Sequence, residues 1–238
     1  MISNRQFKDA IAEQFARVAK ALGSPKRIEL LDLLGQSPRT VEALAHLTGM
    51  SMANTSQHLQ VLKGAALVEA DKVGPFVTYR IVGPDVASLL AAIRSFAEAR
   101  IAEVERLTRE FLEGREGLER LDQKMLAGRV RRREVTVLDV RPAEEYQTGH
   151  IPGAVSLPLG ELRKHLGKLP KNGEIVAYCR GPYCVLAVEA VEILRKQGFK
   201  AFRFEDGVQD WRARGYPIAA GHDLPSPTRK SSQRRPSP

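Results

Sequence analysis

The spacing of apolar positions predicts a helical first part of the chain that also contains a hairpin. Apolar side chains recur every three or four positions, as in amphipathic helices, over residues 5–22, 26–34, 41–47, 52–63 and 85–112. Residues 67–70 and 76–82 instead alternate apolar and polar side chains on either side of Gly74, which predicts a β-hairpin. We assign residues 1–112 to a first, mostly α domain.

The third and fourth predicted helices are separated by a short turn that contains Gly49. Two helices around a glycine turn, the second rich in short polar side chains, are typical of a helix-turn-helix. We therefore interpret the fourth helix as the one that reads DNA, with Leu59 and Leu62 facing the core. The polar side chains expected to face outward are Asn54, Thr55, Gln57 and His58, although His58 could instead cap or pack. The other candidate DNA-binding residues are Ser51, Ser56, Lys63 and Lys72, the last of them near the hairpin tip.

Beyond residue 117 the pattern changes to apolar strands that alternate with helices. A helix is predicted over residues 118–126, and strands over residues 135–140, 153–158, 174–178 and 200–204. This alternation predicts an α/β domain with a parallel sheet, here residues 118–220. Two glycines and several charges make residues 113–117 a linker. Residues 221–238, rich in proline, serine and arginine, are expected to form a disordered basic tail.

A loop with two cysteines, residues 178–184 (YCRGPYC), lies between a predicted strand and a helix over 185–194. Ligands of parallel sheets bind at the carboxyl ends of strands, and Cys179 stands at such an end. Backbone N–H groups of the loop and the helix dipole favour an anion there. We therefore expect the pKa of Cys179 to lie below the usual value of about 8.5, which makes this thiol a candidate nucleophile.

Composition and charge limit the class of protein, its location and its metal content, but they do not decide its function. The 238 residues are 43% hydrophobic, which excludes wholesale disorder, and carry a net charge of +9 that permits contact with nucleic acid. No run approaches the ~18 apolar residues of a membrane span, and the first residues lack a signal peptide's apolar core. We expect a cytoplasmic protein with no membrane partner. The five histidines and two cysteines show no paired metal-ligand spacing, so we expect no metal and no cofactor.

Residues 5 to about 112 resemble the winged-helix regulators of the ArsR family. The resemblance is carried by residues 22–27 (LGSPKR), 41–45 (VEALA), 56–62 (SQHLQVL) and 64–68 (GAALV). It implies a homodimer that binds a palindromic operator in double-stranded DNA, with recognition helices in major grooves about 34–36 Å apart. The long helix over 85–112 is the expected dimer surface, and packing within the monomer is the alternative. Many members sense metals through cysteines in the third helix or carboxylate and histidine pairs in the last helix, and others sense sulfur through a cysteine pair. Residues 1–112 contain no cysteine and the last helix no histidine, so we do not expect sensing at those sites.

Residues 118–220 resemble a single rhodanese domain. The resemblance is carried by residues 138–142 (LDVRP), 144–146 (EEY), 149–154 (GHIPGA) and 207–211 (GVQDW), and by the cysteine loop. It implies that Cys179 takes a sulfane sulfur from a small donor as a persulfide and passes it to a thiol acceptor. The implied supporting groups are the loop N–H groups of Arg180, Gly181, Tyr183 and Cys184, the positive charge of Arg180 at the loop mouth, and a scaffold formed by Asp139 and Arg141. Residue 185 is valine, where related phosphatases and arsenate reductases carry an arginine, which disfavours those activities.

Two functional hypotheses follow. In the first, the chain is a transcriptional regulator, and a persulfide on Cys179 repositions the long helix through residues 113–117 and weakens operator binding. In the second, it is a sulfurtransferase whose winged-helix half serves for dimerisation or location on DNA. Cys184 either bridges to the Cys179 persulfide or is a small buried residue at the start of a helix.

Overall fold

The computed structural model describes residues 2–74, 76–115, 123–132 and 134–221. Its first part is a winged helix built from helices and a small antiparallel sheet of order β1-β3-β2. The elements are α1 Asn4–Leu22, α2 Pro25–Gln36, β1 Arg39–Thr40, α3 Val41–Thr48, α4 Met52–Gly64, β2 Val68–Val73 and β3 Phe76–Ile81. The predicted helices and hairpin are confirmed, with ends that shift by one or two residues at most positions. Strand β1 was not predicted, because two residues are too short to show an alternating pattern.

Local capping explains where the helix-turn-helix begins and turns. The Thr40 hydroxyl accepts a hydrogen bond from the Ala43 N–H at the start of α3, and the Ser51 hydroxyl does the same for Asn54 at the start of α4. Gly49 ends α3 in the left-handed conformation, with a φ of 66°. The core beneath these helices consists mainly of buried leucines, among them Leu30, Leu31, Leu44, Leu59 and Leu62.

The prediction of one continuous helix over residues 85–112 is wrong. The structure has α5 Pro84–Arg100 and α6 Ala102–Leu112, separated by Ile101 in an extended conformation. Ile101 is β-branched, which disfavours the helix and favours extended backbone. The apolar spacing runs through this residue unchanged, so the pattern alone could not show the break. Helix α5 packs against α2, whereas α6 buries none of its side chains fully.

The second part is a parallel sheet of order β5-β4-β6-β7 with helices on both faces. Its elements are α7 Gln123–Arg131, β4 Val135–Asp139, α8 Ala143–Thr148, β5 Val155–Ser156, α9 Leu159–His165, β6 Glu174–Tyr178, α10 Leu186–Lys196, β7 Lys200–Arg203 and α11 Val208–Ala213. Two separate apolar clusters cover the two faces, which explains why the strand sequences are continuously apolar. The predicted α/β sheet is confirmed.

Two local predictions need correction, and others lie partly outside the described residues. The predicted strand over 153–158 shortens to Val155–Ser156, because Gly153 is left-handed and Pro158 has no N–H to donate. Helix α7 continues to Arg131, beyond the predicted end at residue 126, and its predicted start at 118 lies outside the described residues. So do residues 116–117 of the linker and all of the predicted tail except Gly221.

None of the described helices combines the length and the apolarity needed to cross a membrane. Within the same described ranges, no three side chains among histidine, cysteine, aspartate and glutamate are grouped so that they could share a metal ion.

Candidate functional site

The cysteine loop follows β6 directly and leads into α10. Cys179 is 1% exposed and packs in the apolar cluster on one face of the sheet. Its Sγ donates a hydrogen bond to the Cys184 carbonyl oxygen at 3.3 Å, and the Cys184 N–H donates to the Gly181 carbonyl at 3.1 Å. The loop thus curls back so that both thiols lie together, and both are free cysteines.

The structure makes Cys184 the more acidic of the two thiols, whereas the sequence analysis expected Cys179 to be acidic. Burial raises the pKa of Cys179 well above its usual value, and its hydrogen bond to Cys184 raises it further. That hydrogen bond, together with the N–H groups of Arg180 and Leu186, lowers the pKa of Cys184 to about 6. The expected lowering at Cys179 is therefore wrong, because desolvation outweighs the N–H groups of Gly181 and Ala187 that face it. The pair loses its first proton as a unit, with the charge mainly on Cys184.

This acidity predicts that Cys184 reacts first with an alkylating reagent. The rate of Cys184 alkylation should rise with pH to half its plateau near pH 6, because only the thiolate attacks. In urea the midpoint should move to about 8.5, and Cys179 should then react equally well. Peptide mass spectrometry after brief iodoacetamide pulses measures both rates. Faster labelling of Cys179 in the native protein would contradict the assignment.

Arg180, expected to place a positive charge at the loop mouth, forms an ion pair with a buried carboxylate. Its Nε lies 3.1 Å from both carboxylate oxygens of Glu145, and its Nη2 lies 2.7 Å from one of them. Glu145 is fully buried and also accepts a hydrogen bond from Arg39, and Arg141 Nη1 lies at 3.9 Å. Because Arg39 belongs to β1 of the winged helix, this cluster joins the cysteine loop to the first part of the chain.

Asp139 and Arg141 form a buried scaffold beneath the loop. Three nitrogens of Arg141, the backbone N–H included, donate to the Asp139 carboxylate at 2.6–3.1 Å, and the Tyr178 hydroxyl donates to it at 2.6 Å. Tyr178 directly precedes Cys179, so this network fixes the end of β6. Arg141 Nη1 also donates to the Gln36 side chain at 3.0 Å, which adds a second link to the winged helix.

Further contacts bring the loop against α5. The Tyr183 hydroxyl donates to Glu98 at 2.7 Å, and burial, with this bond, raises the pKa of Tyr183 to about 12, so that the hydroxyl remains a donor. Arg94 pairs with Asp210 at 3.1 Å and with Asp32 at 3.6 Å. Sequence reasoning did not find Glu98 or Arg94, because their partners lie far away in the chain and no local pattern marks them. Asp210 belongs to the motif 207–211, but its ion pair with Arg94 could not be predicted for the same reason.

Gly207 is required by the close approach of another loop. A Cβ atom at this position would lie 2.1 Å from the Arg180 carbonyl oxygen and 2.4 Å from its carbon. Gly207→Ala should therefore displace the cysteine loop and lower the free energy of unfolding by about 1–3 kcal/mol, as overpacked sites do. Urea unfolding measures this change. The matched control is Gly160→Ala in α9, where an added Cβ meets nothing within 4 Å, and equal effects of the two variants would contradict the argument.

The structure places most of the candidate DNA-binding side chains on one accessible helix, with one correction. Thr55 is fully buried and its hydroxyl donates to the Ser51 carbonyl, so its predicted outward orientation is wrong. Thr55 lies four residues before Leu59 and seven before Leu62, so it shares the helix face that these two leucines bury in the core. The exposed candidates are Ser51, Asn54, Gln57, Lys63 and Lys72, whereas Ser56 and His58 are half-buried. The Ser51 hydroxyl is engaged as the helix cap.

Comparisons with known proteins match both halves. Residues 24–70 match the model of the bacterial regulatory protein, arsR family, and residues 121–214 match the model of the rhodanese-like domain. The HTH-type transcriptional regulator Rv0324 of Mycobacterium tuberculosis is 45% identical over 217 residues, which cover 90% of this chain and 94% of that protein.

Two partial matches accompany this full-length relative. The putative sulfur carrier protein YrkF of Bacillus subtilis is 40% identical over 78 residues, 32% of this chain and 41% of that protein. The solution structure of a homodimeric winged helix-turn-helix domain from Mycobacterium bovis is 44% identical, covers 42% of this chain and 92% of that chain, and has a TM-score of 0.39. The near full-length match to Rv0324 and the two domain matches lead to one conclusion: the chain belongs to the arsR family of bacterial transcriptional regulators, in a form that carries a C-terminal rhodanese-like domain.

Proposed function

We propose that this regulator binds its operator less tightly when Cys179 carries a sulfane sulfur as a persulfide. The observation that supports the proposal is the direct contact between the cysteine loop and the DNA-binding half, through Tyr183–Glu98 and through the Arg180–Glu145–Arg39 cluster. A signal at the loop therefore need not travel through residues 113–117, as the sequence had suggested. Arg39 directly precedes Thr40, which caps the first helix of the helix-turn-helix.

Packing supplies the physical link. Cys179 is 1% exposed in a close-packed cluster, so a second sulfur atom bonded to its thiol requires the loop to move. The loop residues Arg180, Gly181, Tyr183 and Cys184 would shift with it. Arg180 and Tyr183 hold partners outside the loop, so the shift would reach α5 through Glu98 and β1 through Glu145 and Arg39. Sulfur binding and DNA binding can be coupled if the interface between the loop and the winged helix has two packings, one favoured by the free Cys179 thiol and the other by its persulfide.

The DNA-binding unit is proposed to be a homodimer on a palindromic operator. Helix α1 exposes Phe7 and Phe15, at 54% and 72%, and α5 exposes Phe96 at 69%. Large apolar side chains that are exposed in the single chain favour an interface between proteins when they share a surface. A two-fold dimer through these helices would present two copies of α4, with Asn54 and Gln57, to two half-sites of double-stranded DNA.

Fluorescence anisotropy on the regulator's own promoter DNA, at fixed salt, tests the proposal. Polysulfide should lower the affinity of the wild type about fivefold or more, the lower range of typical coupling between sites. Asn54→Ala and Gln57→Ala should each weaken binding by about 1–3 kcal/mol, as lost base contacts do, yet keep the same relative response. An affinity that polysulfide leaves unchanged would refute the proposed regulation.

A second candidate function, sulfur transfer by turnover, is favoured by the match of residues 121–214 to the rhodanese-like domain. In that case the Cys179 persulfide would pass its sulfur to a small thiol acceptor, and operator affinity would not depend on sulfur. Steady-state release of sulfide from a sulfane donor and excess thiol, measured beside the anisotropy, separates the two functions.

A further inference from the structure

A cleft of about 540 Å³ lies between the cysteine loop and the DNA-binding half. Its size falls within the range of small-molecule sites, about 300–1,000 Å³. One wall consists of apolar side chains from three helices of the winged helix, Ile28, Leu33, Leu47 and Ile93. The opposite wall is the loop itself, including Cys184 and the exposed Val185, whereas the buried Cys179 lies next to Cys184 rather than on the cleft surface.

The charges of the cleft are already paired. Its described lining residues include two cations, Arg94 and Arg180. Arg94 is held by Asp32 and Asp210, and Arg180 by the buried Glu145. Glu29 adds another carboxylate to the lining. A dianion such as thiosulfate would therefore lose its hydration without gaining an unpaired cation among these described residues.

We propose that this cleft is the binding site for the sulfur donor, and that the donor is an organic hydropersulfide, R–S–SH, with an apolar R group. The R group would pack against Leu47, Ile28 and Ile93, and the sulfurs would lie toward the cysteine pair. The inference rests on the proposed function, because it names the donor for the same Cys179. It goes further in making the DNA-binding half one wall of the donor site.

The transfer step balances without an added oxidant or reductant. Cys179 passes its proton to the thiolate of Cys184, the residue whose carbonyl oxygen already accepts a hydrogen bond from the Cys179 thiol at 3.3 Å. The loop movement that a second sulfur requires brings the Cys179 thiolate to the cleft surface. There it attacks the terminal sulfur of R–S–SH, a new S–S bond forms to Cys179, and the original S–S bond breaks. The leaving R–S⁻ takes the proton from Cys184. The products are R–SH and the Cys179 persulfide, and Cys184 is a thiolate again.

The test compares donors of increasing apolar length on the full chain. The rate of sulfur addition, followed by intact mass, is measured with methyl, butyl and hexyl hydropersulfide and with thiosulfate. Burial of a methylene favours binding roughly fourfold when complete, so the rate at low donor concentration should rise at least about tenfold from methyl to hexyl. Thiosulfate should be the slowest donor. Equal rates for all three hydropersulfides, or fastest loading from thiosulfate, would overturn the inference.

Matched variants place the effect in the cleft. Leu47→Gln on the apolar wall should reduce the preference for hexyl over methyl to about twofold or less, since a polar amide replaces the contact surface. Val61→Gln is the control, because Val61 is a similarly exposed apolar residue on α4 outside the cleft lining. Val185→Gln serves as a second cleft variant should Leu47→Gln unfold. Equal loss of preference in the cleft and control variants would contradict the proposal.

The failure of this inference can be told from the failure of the proposed function. Chain-length preference without any change in operator affinity would leave the donor site in place and refute the regulation. A polysulfide response of operator affinity without chain-length preference would support the regulation and refute the donor site.

Discussion

Cys179→Ser is expected to abolish the response of operator affinity to polysulfide. Serine has nearly the volume of cysteine but cannot hold a sulfane sulfur, so the loop has no reason to leave its native packing against α5. Anisotropy titrations at fixed salt, with and without polysulfide, should give one dissociation constant for the variant and two, at least about fivefold apart, for the wild type.

The neighbouring thiol provides the control for this result. Intact mass after polysulfide treatment should show a crosslinked loop in the wild type if Cys184 bridges to the Cys179 persulfide, and Cys184→Ser should lose that crosslink. The crosslink requires both thiols, whereas the operator response requires the sulfane sulfur to be held on Cys179. If the Cys179→Ser protein responds to polysulfide as the wild type does, Cys179 is not the sensing residue.

Glu145→Gln is expected to lower the free energy of unfolding by about 3–5 kcal/mol, the usual cost when one partner of a buried ion pair is removed. Glu145 is fully buried, with Arg180 and Arg39 on its carboxylate, and a neutral amide would take this counter-charge from two largely covered guanidinium groups. Urea unfolding followed by fluorescence reports on this change. Trp211, the one tryptophan of the chain, lies buried in the rhodanese-like half and provides the signal.

Glu144→Gln is the matched control, because Glu144 is the adjacent residue of the same helix and is exposed. Its effect should stay within about 0.5 kcal/mol, as for most surface substitutions. Glu145→Gln should also weaken the coupling between sulfur and DNA, since the cluster joins the loop to β1. Similar stabilities of the two variants would show that the cluster contributes little net energy.

The acidity of the two thiols shows what could be predicted from neighbouring residues in the chain and what could not. The strand end, the glycine-containing loop and the following helix were predictable, because each depends on neighbours in the chain. The prediction that Cys179 is the acidic thiol failed, because it considered the loop N–H groups and not the apolar cluster that buries the sulfur. Burial is contributed by residues from several strands and helices, and no local pattern gives its extent.

The sequence by itself determined the two domains, the capped helix-turn-helix, the parallel sheet and the position of the cysteine loop. These depend on apolar period, capping residues and turn residues, all of which act over a few positions. Only the tertiary structure decided that Thr55 turns inward, that the long helix breaks at Ile101, and that Glu145 binds Arg39, which lies 106 residues away. The physical reason is that burial and ion pairing depend on which distant segments meet in space. That meeting places the sulfur loop directly against the DNA-binding half.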